Sequence, residues 1–360
     1  MASQLELVLD GRAVAESDLE PLLELQAEEA IDQADAVTIS ARLEPRPDGS
    51  WSSLLDPVTV PNTPMTVRIA RGGVEYRFEG CSAEAAWHVD TEAGSRLTVK
   101  AIDLTQQMDL EEKVVPWPGT ADSAIATAIF ASYGLPASVE ETPAGPDPDV
   151  HVAIQRATDW AYLRSLAAKW GYAVYLEAVA GRMVGHFRPL DPLSQPQGEL
   201  PIGFATTTRA EISAGLVAGR RVEATRIPTL SASSVVADED GTDQAQGPRT
   251  LGGQTTVLLA PTDLDGELDV AAAAAGLARR SAFGLRLNAE LDTEVLGLML
   301  RARRTVLVRG VGEALSGRWL VERVRHLVTL DGFRQQVSLV RNAFGLRGDE
   351  FGMAAIGGLP

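Results

Sequence analysis

The sequence contains one cysteine, Cys81, in 360 residues. A single thiol cannot form an internal disulfide, and it cannot supply the thiolate sets of structural zinc sites. Long apolar runs are also missing, because the uncharged stretches at 123–139 and 270–278 are shorter than the roughly 20 residues of a membrane-spanning helix or are diluted by Ser, Thr and Gly. We therefore expect a fold held together by packing alone, without a membrane span.

Basic residues are also scarce. Lys and Arg number 32 against 49 Asp and Glu, which gives a net charge of -17 and argues against a phosphate-binding face for nucleic acid. Only three of these 32 cations are lysines, a bias that fits a GC-rich genome and to which we give little functional weight. The first residues, MASQLELVLDGR, lack the basic segment of a secretion signal, so synthesis in the cytoplasm is expected.

The remaining composition is that of a globular protein, with 45% hydrophobic and 22% charged residues. The length favours two to three domains. Apolar residues alternate along the first hundred positions, which predicts about six antiparallel strands. The clearest hairpin joins 65–69 to 74–78 across Gly72 and Gly73. The stretch from 19 to 34 fits a helix and a strand equally well.

The pattern changes after residue 103 to that of a compact α+β unit. Helical stripes at 124–131 and 158–170 predict two helices, followed by a hairpin. Prolines between 189 and 201 predict an irregular connection, and 231–253 has the composition of a long loop. A helix at about 268–283 interrupts a second strand-rich block that resembles the first in kind.

No motif for catalysis or metal binding stands out. The four histidines lie in four separate segments without metal-ligand spacing, and Cys81 has no base near it in sequence. Gly310 and Gly312 are not followed by the helix that a dinucleotide loop requires, so a turn or bulge is the simpler interpretation. The acidic residues from Glu16 to Asp35 are expected on a solvated or partner-facing surface. Trp117, between two prolines, is the one tryptophan that we expect to be exposed.

Several stretches together resemble the phage late control gene D family, the baseplate hubs of contractile tails and the hub parts of VgrG spikes. The first are ADAVTISARLEP at 34–45, YRFEGCSAEA at 76–85 and RLTVKAIDLTQQM at 96–108. The most specific is the segment 152–177, similar to a helix common to hubs and spikes, and 308–326 matches a strand pair of the family. The residues that carry the resemblance are Asp35, Gly80, Asp103, Thr158, Asp159, Leu163, Leu166, Gly171, Gly310, Gly312, Ser316, Gly317 and His326.

The resemblance implies a mainly β, α+β fold with two small antiparallel tube-like β-barrels and an α/β insertion domain. The expected boundaries are a first barrel at 1–103, the insertion at 104–200, a second barrel at 201–343 and a flexible C-terminal tail at 344–360. Thr158 or Asp159 is expected to cap the helix at 158–170, whose inner face Leu163 and Leu166 fill.

The resemblance also implies a structural role. In the family, three chains form a ring of six barrels, which adapts a sixfold inner tube to a threefold spike. The implied partners are two further copies, the tube protein, a separate spike protein, other baseplate proteins, and a tape-measure protein or effector in the lumen. No cofactor, metal or catalytic residue is expected, and the chain is expected to end up in a phage tail-like particle or injection system. The alternatives are a cell-wall hydrolase of a tail tip and a soluble carbohydrate-binding β protein.

Overall fold

The computed structural model describes residues 4–31, 33–90, 92, 94–149, 152–203, 207–215, 221–225, 236–239, 244–251, 256–259, 267–329 and 332–350. Residues 231–235, 240–243 and 252–253 of the expected loop and residues 351–360 of the expected tail lie outside this description. The described part of that loop contains two short strands, Val236–Glu239 and Arg249–Thr250. No helix within these ranges is long and apolar enough to cross a membrane.

The N-terminal block consists of strands, as the alternation predicts. The hairpin across Gly72 and Gly73 is confirmed, with both glycines at positive φ and Arg71 paired with Val74. The stretch that sequence left undecided is a strand, because every second side chain from Leu25 onward is buried. The strands are β1 (Gln4–Leu9), β2 (Arg12–Ala13), β3 (Leu22–Ala30), β4 (Ala36–Arg42), β5 (Glu44–Pro45), β6 (Trp51–Ser52), β7 (Pro64–Arg71), β8 (Val74–His88) and β9 (Arg96–Asp103).

The middle unit has the two predicted helices and the predicted hairpin. Phe130 and Leu163 pack with Phe187 in its core, and Phe130 lies where a Cβ on Gly185 would be. The Thr158 side chain accepts a hydrogen bond from the Ala161 N–H, which makes it the cap of the second helix. The elements are α1 (Thr105–Met108), β10 (Glu112–Trp117), α2 (Asp122–Ser132), β11 (Ala137–Val139), β12 (Ala153–Thr158), α3 (Asp159–Trp170), β13 (Ala173–Val179) and β14 (Arg182–Arg188).

The C-terminal block returns to strands, with one long helix at the predicted place. The proline-rich connection ends in a short strand that pairs in parallel with a later one. The elements are β15 (Glu199–Pro201), β16 (Thr207–Ala214), β17 (Arg221–Thr225), β18 (Val236–Glu239), β19 (Arg249–Thr250), β20 (Thr256–Leu259), α4 (Glu267–Ser281), β21 (Leu285–Asp292), α5 (Thr293–Leu296), β22 (Thr305–Arg309), β23 (Gly317–Thr329), β24 (Gly332–Arg341) and β25 (Ala343–Phe344).

One large sheet runs through both strand-rich blocks. Its order is β16, β21, β24, β23, β3, β4, β9, β8, β7, β1 and β2, and β23 pairs with β3 in antiparallel register from Arg323 with Ala30 to Val328 with Leu25. Two apolar cores lie on the buried side of this sheet, one in each block. The mainly β architecture is thus confirmed. The pairings among the described strands do not close into a barrel, so the two barrels stay a prediction.

Helix α4 packs closely against the end of α3. Gly171 ends α3 in the left-handed conformation with φ 68°, and a Cβ there would come within 2.9 Å of the Gly276 Cα. A Cβ on Gly276 would in turn lie 2.6 Å from the Lys169 carbonyl oxygen. The Lys169 ammonium contacts Asp122 at 2.5 Å and Asp269 at 3.1 Å, so it ties α4 to the middle unit. Two glycines and one lysine therefore set the distance between these helices.

We expect Gly276→Ala to destabilise the protein by about 1–3 kcal/mol, because the new methyl group overlaps the α3 backbone. Alanine is the better helix former by about 1 kcal/mol, so an increase in stability would contradict the close contact. The free energy of unfolding in urea measures the difference. Gly348→Ala is the matched control, since nothing lies within 4 Å of the position of its Cβ.

Candidate functional site

A group of buried charged and polar side chains lies where the N-terminal block, the middle unit and the C-terminal block meet. We call it the ionic junction and define it by Glu29, Asp35, Arg301, Arg303 and His326. The two arginines lie between α5 and β22, the carboxylates on β3 and just before β4, and the histidine on β23. All five side chains are buried. Charges removed from water must be paired and hydrogen-bonded, so these contacts are specific.

Arg301 contacts all three parts of the chain. Its Nε donates to both carboxylate oxygens of Glu29, at 2.9 and 3.0 Å. Its Nη1 donates to the Glu75 carbonyl of β8, and its Nη2 lies 3.3 Å from Oε1 of Glu177 in the middle unit. Glu177 also accepts from Arg304 Nη2 at 2.8 Å. One planar guanidinium thus fixes the directions of three neighbours.

Arg303 makes a second link between the same parts. Its Nη2 donates to Asp35 Oδ1 at 2.5 Å and to the Ala30 carbonyl at 2.8 Å. The guanidinium lies 4.4 Å from the centre of the Tyr175 ring of the middle unit, and the His186 ring stacks on Tyr175 with the ring centres 4.7 Å apart. Arg303 has φ 67°, an uncommon conformation for a residue with a Cβ. The fold therefore holds this side chain in place against a backbone preference.

His326 completes the junction from β23. Its Nε2 lies 3.1 Å from Glu29 Oε1, and its Nδ1 lies 3.1 Å from Gln335 Nε2. The carboxylate can only accept, so Nε2 carries the proton and Nδ1 accepts from the amide. Gln335 also exchanges hydrogen bonds with both backbone groups of Leu300, at 2.9 and 2.8 Å. This network holds the start of the arginine-bearing segment.

Asp103 connects the junction to the end of β9. Its Oδ2 accepts from the Asp35 N–H at 3.0 Å, and its Oδ1 accepts from the Thr105 backbone N–H at 2.9 Å. Gly80 lies opposite Asp103 in the sheet, and a Cβ there would fall 2.1 Å from the Ile102 carbonyl oxygen. Only glycine fits at this close approach.

Burial and charge act in opposite directions on the carboxyl groups of the junction. Burial raises the pKa of Asp35 to about 7, although Arg303 opposes the rise. Burial would also raise the pKa of Glu29, but Arg301 and His326 hold it well below its usual range. Burial lowers the pKa of His326, which is therefore neutral near pH 7. The junction consequently keeps Glu29 ionised and leaves Asp35 near its titration point at neutral pH.

A second buried cluster surrounds Asp159 at the start of α3. Its carboxylate accepts from Lys113 Nζ at 2.6 Å, from Tyr133 OH at 2.8 Å and from Gln155 Nε2 at 2.7 Å. Burial alone would raise the pKa of Asp159, but these hydrogen bonds lower it. Because Thr158 caps α3, the Asp159 carboxylate can bind side chains from β10, from β12 and from the residue that follows α2.

A third cluster forms around Arg341 behind the β22–β23 loop. Gly310 and Gly312 adopt positive φ in this loop. Arg341 donates to the carbonyls of Ser316 at 2.7 Å and Gly345 at 2.6 Å. A Cβ on Gly317 would lie 2.6 Å from Arg341 Nη2, so the glycine makes room for the guanidinium.

The start of the expected tail is packed beside this cluster. The Arg318 N–H donates to Glu350 Oε1 at 3.0 Å, and the Glu350 side chain is buried. Flexibility of the tail from 344 onward stays a prediction.

The structure distributes the residues of the family resemblance over these three clusters. Asp35, Gly80, Asp103 and His326 lie together at the ionic junction. Thr158, Asp159, Leu163, Leu166 and Gly171 belong to the middle unit, where both leucines are buried. Ser316 and Gly317 contact Arg341, and Gly310 and Gly312 lie in the loop just before them. Within the described ranges, no group of three or more His, Cys, Asp or Glu side chains is placed to hold a metal ion.

Three sequence interpretations need correction. The acidic segment from Glu16 to Asp35 is not uniformly a surface, because Glu29 and Asp35 are buried against arginines. The arginine bias has structural consequences, because the segment at 301–304, RARR, supplies the guanidinium groups of the junction. Trp117 is only partly exposed, whereas Trp51 and Trp87 are 41% and 56% exposed. The resemblance singled out Asp35 and His326 in the sequence, but Glu29, Arg301 and Arg303 carried no signal beyond the RARR run.

We expect Glu29→Gln to lower the free energy of unfolding by about 3–5 kcal/mol, because it removes the fully buried carboxylate that pairs with Arg301. Glu28→Gln is the matched control. Glu28 is the preceding residue and also contacts arginines, at 3.3 and 3.0 Å, but on the solvent-facing side. Its loss should change stability by no more than about 1 kcal/mol. Equal effects of the two substitutions in urea unfolding would refute the special role of the junction.

We expect Asp35 to make stability depend on pH. Its pKa is higher in the folded than in the unfolded protein, so its contribution is present below pH 3.8 and is lost as pH rises toward about 7. Asp35→Asn should therefore flatten the decrease in stability between about pH 4 and about pH 7. Chemical unfolding across that range tests this, with Asp48→Asn as a control at an exposed position. Parallel pH profiles for the wild type and Asp35→Asn would contradict the assignment.

No protein-family profile matches the chain, and no curated protein is found as a relative. Solved structures do match. A tail protein from Neisseria meningitidis has a TM-score of 0.67 at 13% identity, over 95% of this chain and 97% of its own. The 43 kDa tail protein of prophage MuSo2 from Shewanella oneidensis has a TM-score of 0.65 at 12% identity, over 94% and 98% of the two chains.

A third match is the Escherichia coli c3393 protein, a component of the type VI secretion system described as structurally similar to the bacteriophage T4 tail proteins gp27 and gp5. It has a TM-score of 0.55 at 10% identity and covers 95% of this chain and 78% of its own. At these identities the likeness concerns the fold. The chain therefore shares, over nearly its whole length, the fold of phage tail proteins and a type VI secretion component, which confirms the resemblance found in the sequence.

Proposed function

We propose that this chain is a structural hub of a contractile phage tail-like particle or injection system. The observation that carries the proposal is the fold likeness to tail proteins across 95% of the chain. A match of that extent leaves little of the chain for an additional catalytic domain. The protein acts through assembly, and we propose no bond chemistry for it.

In this proposal three copies form a ring, and each copy contributes two strand-rich blocks. Six blocks then face the sixfold inner tube, while the threefold symmetry of the ring meets a separate spike protein. The two blocks must be held at a constant angle for such a ring to be regular. The β23–β3 pairing and the ionic junction supply that constraint within each chain.

The same proposal gives the chain its partners. They are two further copies, the tube protein, the spike, other baseplate proteins, and a tape-measure protein or effector in the lumen. With a net charge of -17 per chain, an acidic lumen would accept basic segments more readily than acidic ones. The chain is made in the cytoplasm and is incorporated there into the particle.

Copy number tests the proposal most directly. Particles purified from cells that produce this chain should contain three copies of it between tube and spike, seen as threefold density in a reconstruction. Six copies, one copy, or absence from the particle would overturn the hub assignment. A purified chain that remains monomeric does not conflict with it, because partners can drive ring formation.

A further inference from the structure

The two-stranded ribbon formed by β10 and β12 presents an apolar face that nothing in the described chain covers. Val114 lies opposite Arg156 and Pro116 lies opposite Ile154 in the ribbon. Val114 is 77% exposed and Ile154 is 42% exposed, while Leu110, just before β10, is 66% exposed. Large apolar side chains that share one exposed strand face are typical of an interaction surface.

The ribbon is held rigidly from its other side. Lys113, between the exposed positions, donates to Asp159 at 2.6 Å. Gln155, on the opposite strand, donates to the same carboxylate at 2.7 Å and accepts from Trp117 Nε1 at 3.4 Å. The exposed side chains therefore project from a fixed platform. A preorganised surface loses less conformational freedom when a partner binds.

The ribbon also offers backbone hydrogen-bonding groups. Within the described residues, β10 and β12 pair only with each other, so each has one unpaired edge. An extended segment can add to such an edge through main-chain hydrogen bonds, and its alternate side chains then reach the face of the ribbon. The shape of the surface thus favours an extended partner segment.

The charges around the apolar face specify the partner further. Asp109, Glu111 and Glu112 are exposed beside Leu110 and Val114, and Arg156 is the one cation on the described outer face of the ribbon. A cationic segment complements this surface. A second copy of the chain complements it poorly, because each copy carries a net charge of -17.

We propose that the β10–β12 ribbon binds an extended cationic segment of a partner protein, in which Lys or Arg alternates with Val, Ile or Leu. The alternation places the apolar side chains on the face of Val114 and Ile154. The basic side chains lie on the other face and are attracted by the carboxylates of Asp109, Glu111 and Glu112 at the end of the ribbon. This inference goes beyond the hub proposal and does not depend on the copy number of the ring.

The test measures binding of a fluorescein-labelled peptide of alternating lysine and valine by fluorescence anisotropy. The wild type should bind it, and the double variant Val114→Ser with Ile154→Ser should bind at least about tenfold more weakly. Val179→Ser is the matched control, because Val179 is 48% exposed on β13, away from the ribbon. The double variant Glu111→Gln with Glu112→Gln should weaken binding and reduce its salt dependence.

Three results would overturn the proposal. The first is no binding of the peptide by the wild type. The second is equal binding by the wild type and both double variants, or equal binding of a peptide with glutamate in place of lysine. The third is self-association of the wild type in sedimentation that the Val114→Ser, Ile154→Ser variant abolishes, since a second copy would then be the occupant. Urea unfolding of every variant checks that the exposed substitutions leave the fold intact.

Discussion

The arrangement of the three parts of the chain depends on the buried ion pair between Arg301 and Glu29, in which the Nε–H is shared between both carboxylate oxygens. Burying two charges costs several kcal/mol per ion, so such a pair is weak evidence for net stability. The ion pair contributes mainly by fixing how the three parts of the chain are oriented. The guanidinium also reaches Glu75 on β8 and Glu177 in the middle unit, and these partners can be satisfied together in only one arrangement of the parts. The junction thus selects one relative orientation of the three parts.

The chemistry of arginine explains why the junction uses this residue. A guanidinium remains charged when buried and donates in several fixed directions, whereas a lysine is a point charge that loses its proton more readily. Arg303 additionally lies over the Tyr175 ring, a contact that a flat cation makes well. A composition that uses arginine almost exclusively therefore suits the architecture, whatever its genomic origin.

Much of the fold was predictable because its signals are local. Alternation gave the strands of the N-terminal block, since one face of each is buried, and the caps and stops of α3 were visible at Thr158 and Gly171. The ionic junction was not predictable. Glu28 and Glu29 look alike in sequence, yet one faces solvent and the other contacts an arginine 272 residues away. The packing of β3 decides between them, and the ambiguous pattern at 19–34 hid that strand.

The pairing of β3 with β23 has a consequence for how the chain is made. Glu28 and Arg325 are neighbours across this pairing but lie 297 residues apart in sequence. Contacts of such separation form slowly, and an unpaired strand edge invites aggregation in the meantime. During translation, one edge of β3 stays unpaired until β23 has left the ribosome. The pairing that joins the two strand-rich blocks therefore leaves an aggregation-prone edge exposed for most of the synthesis.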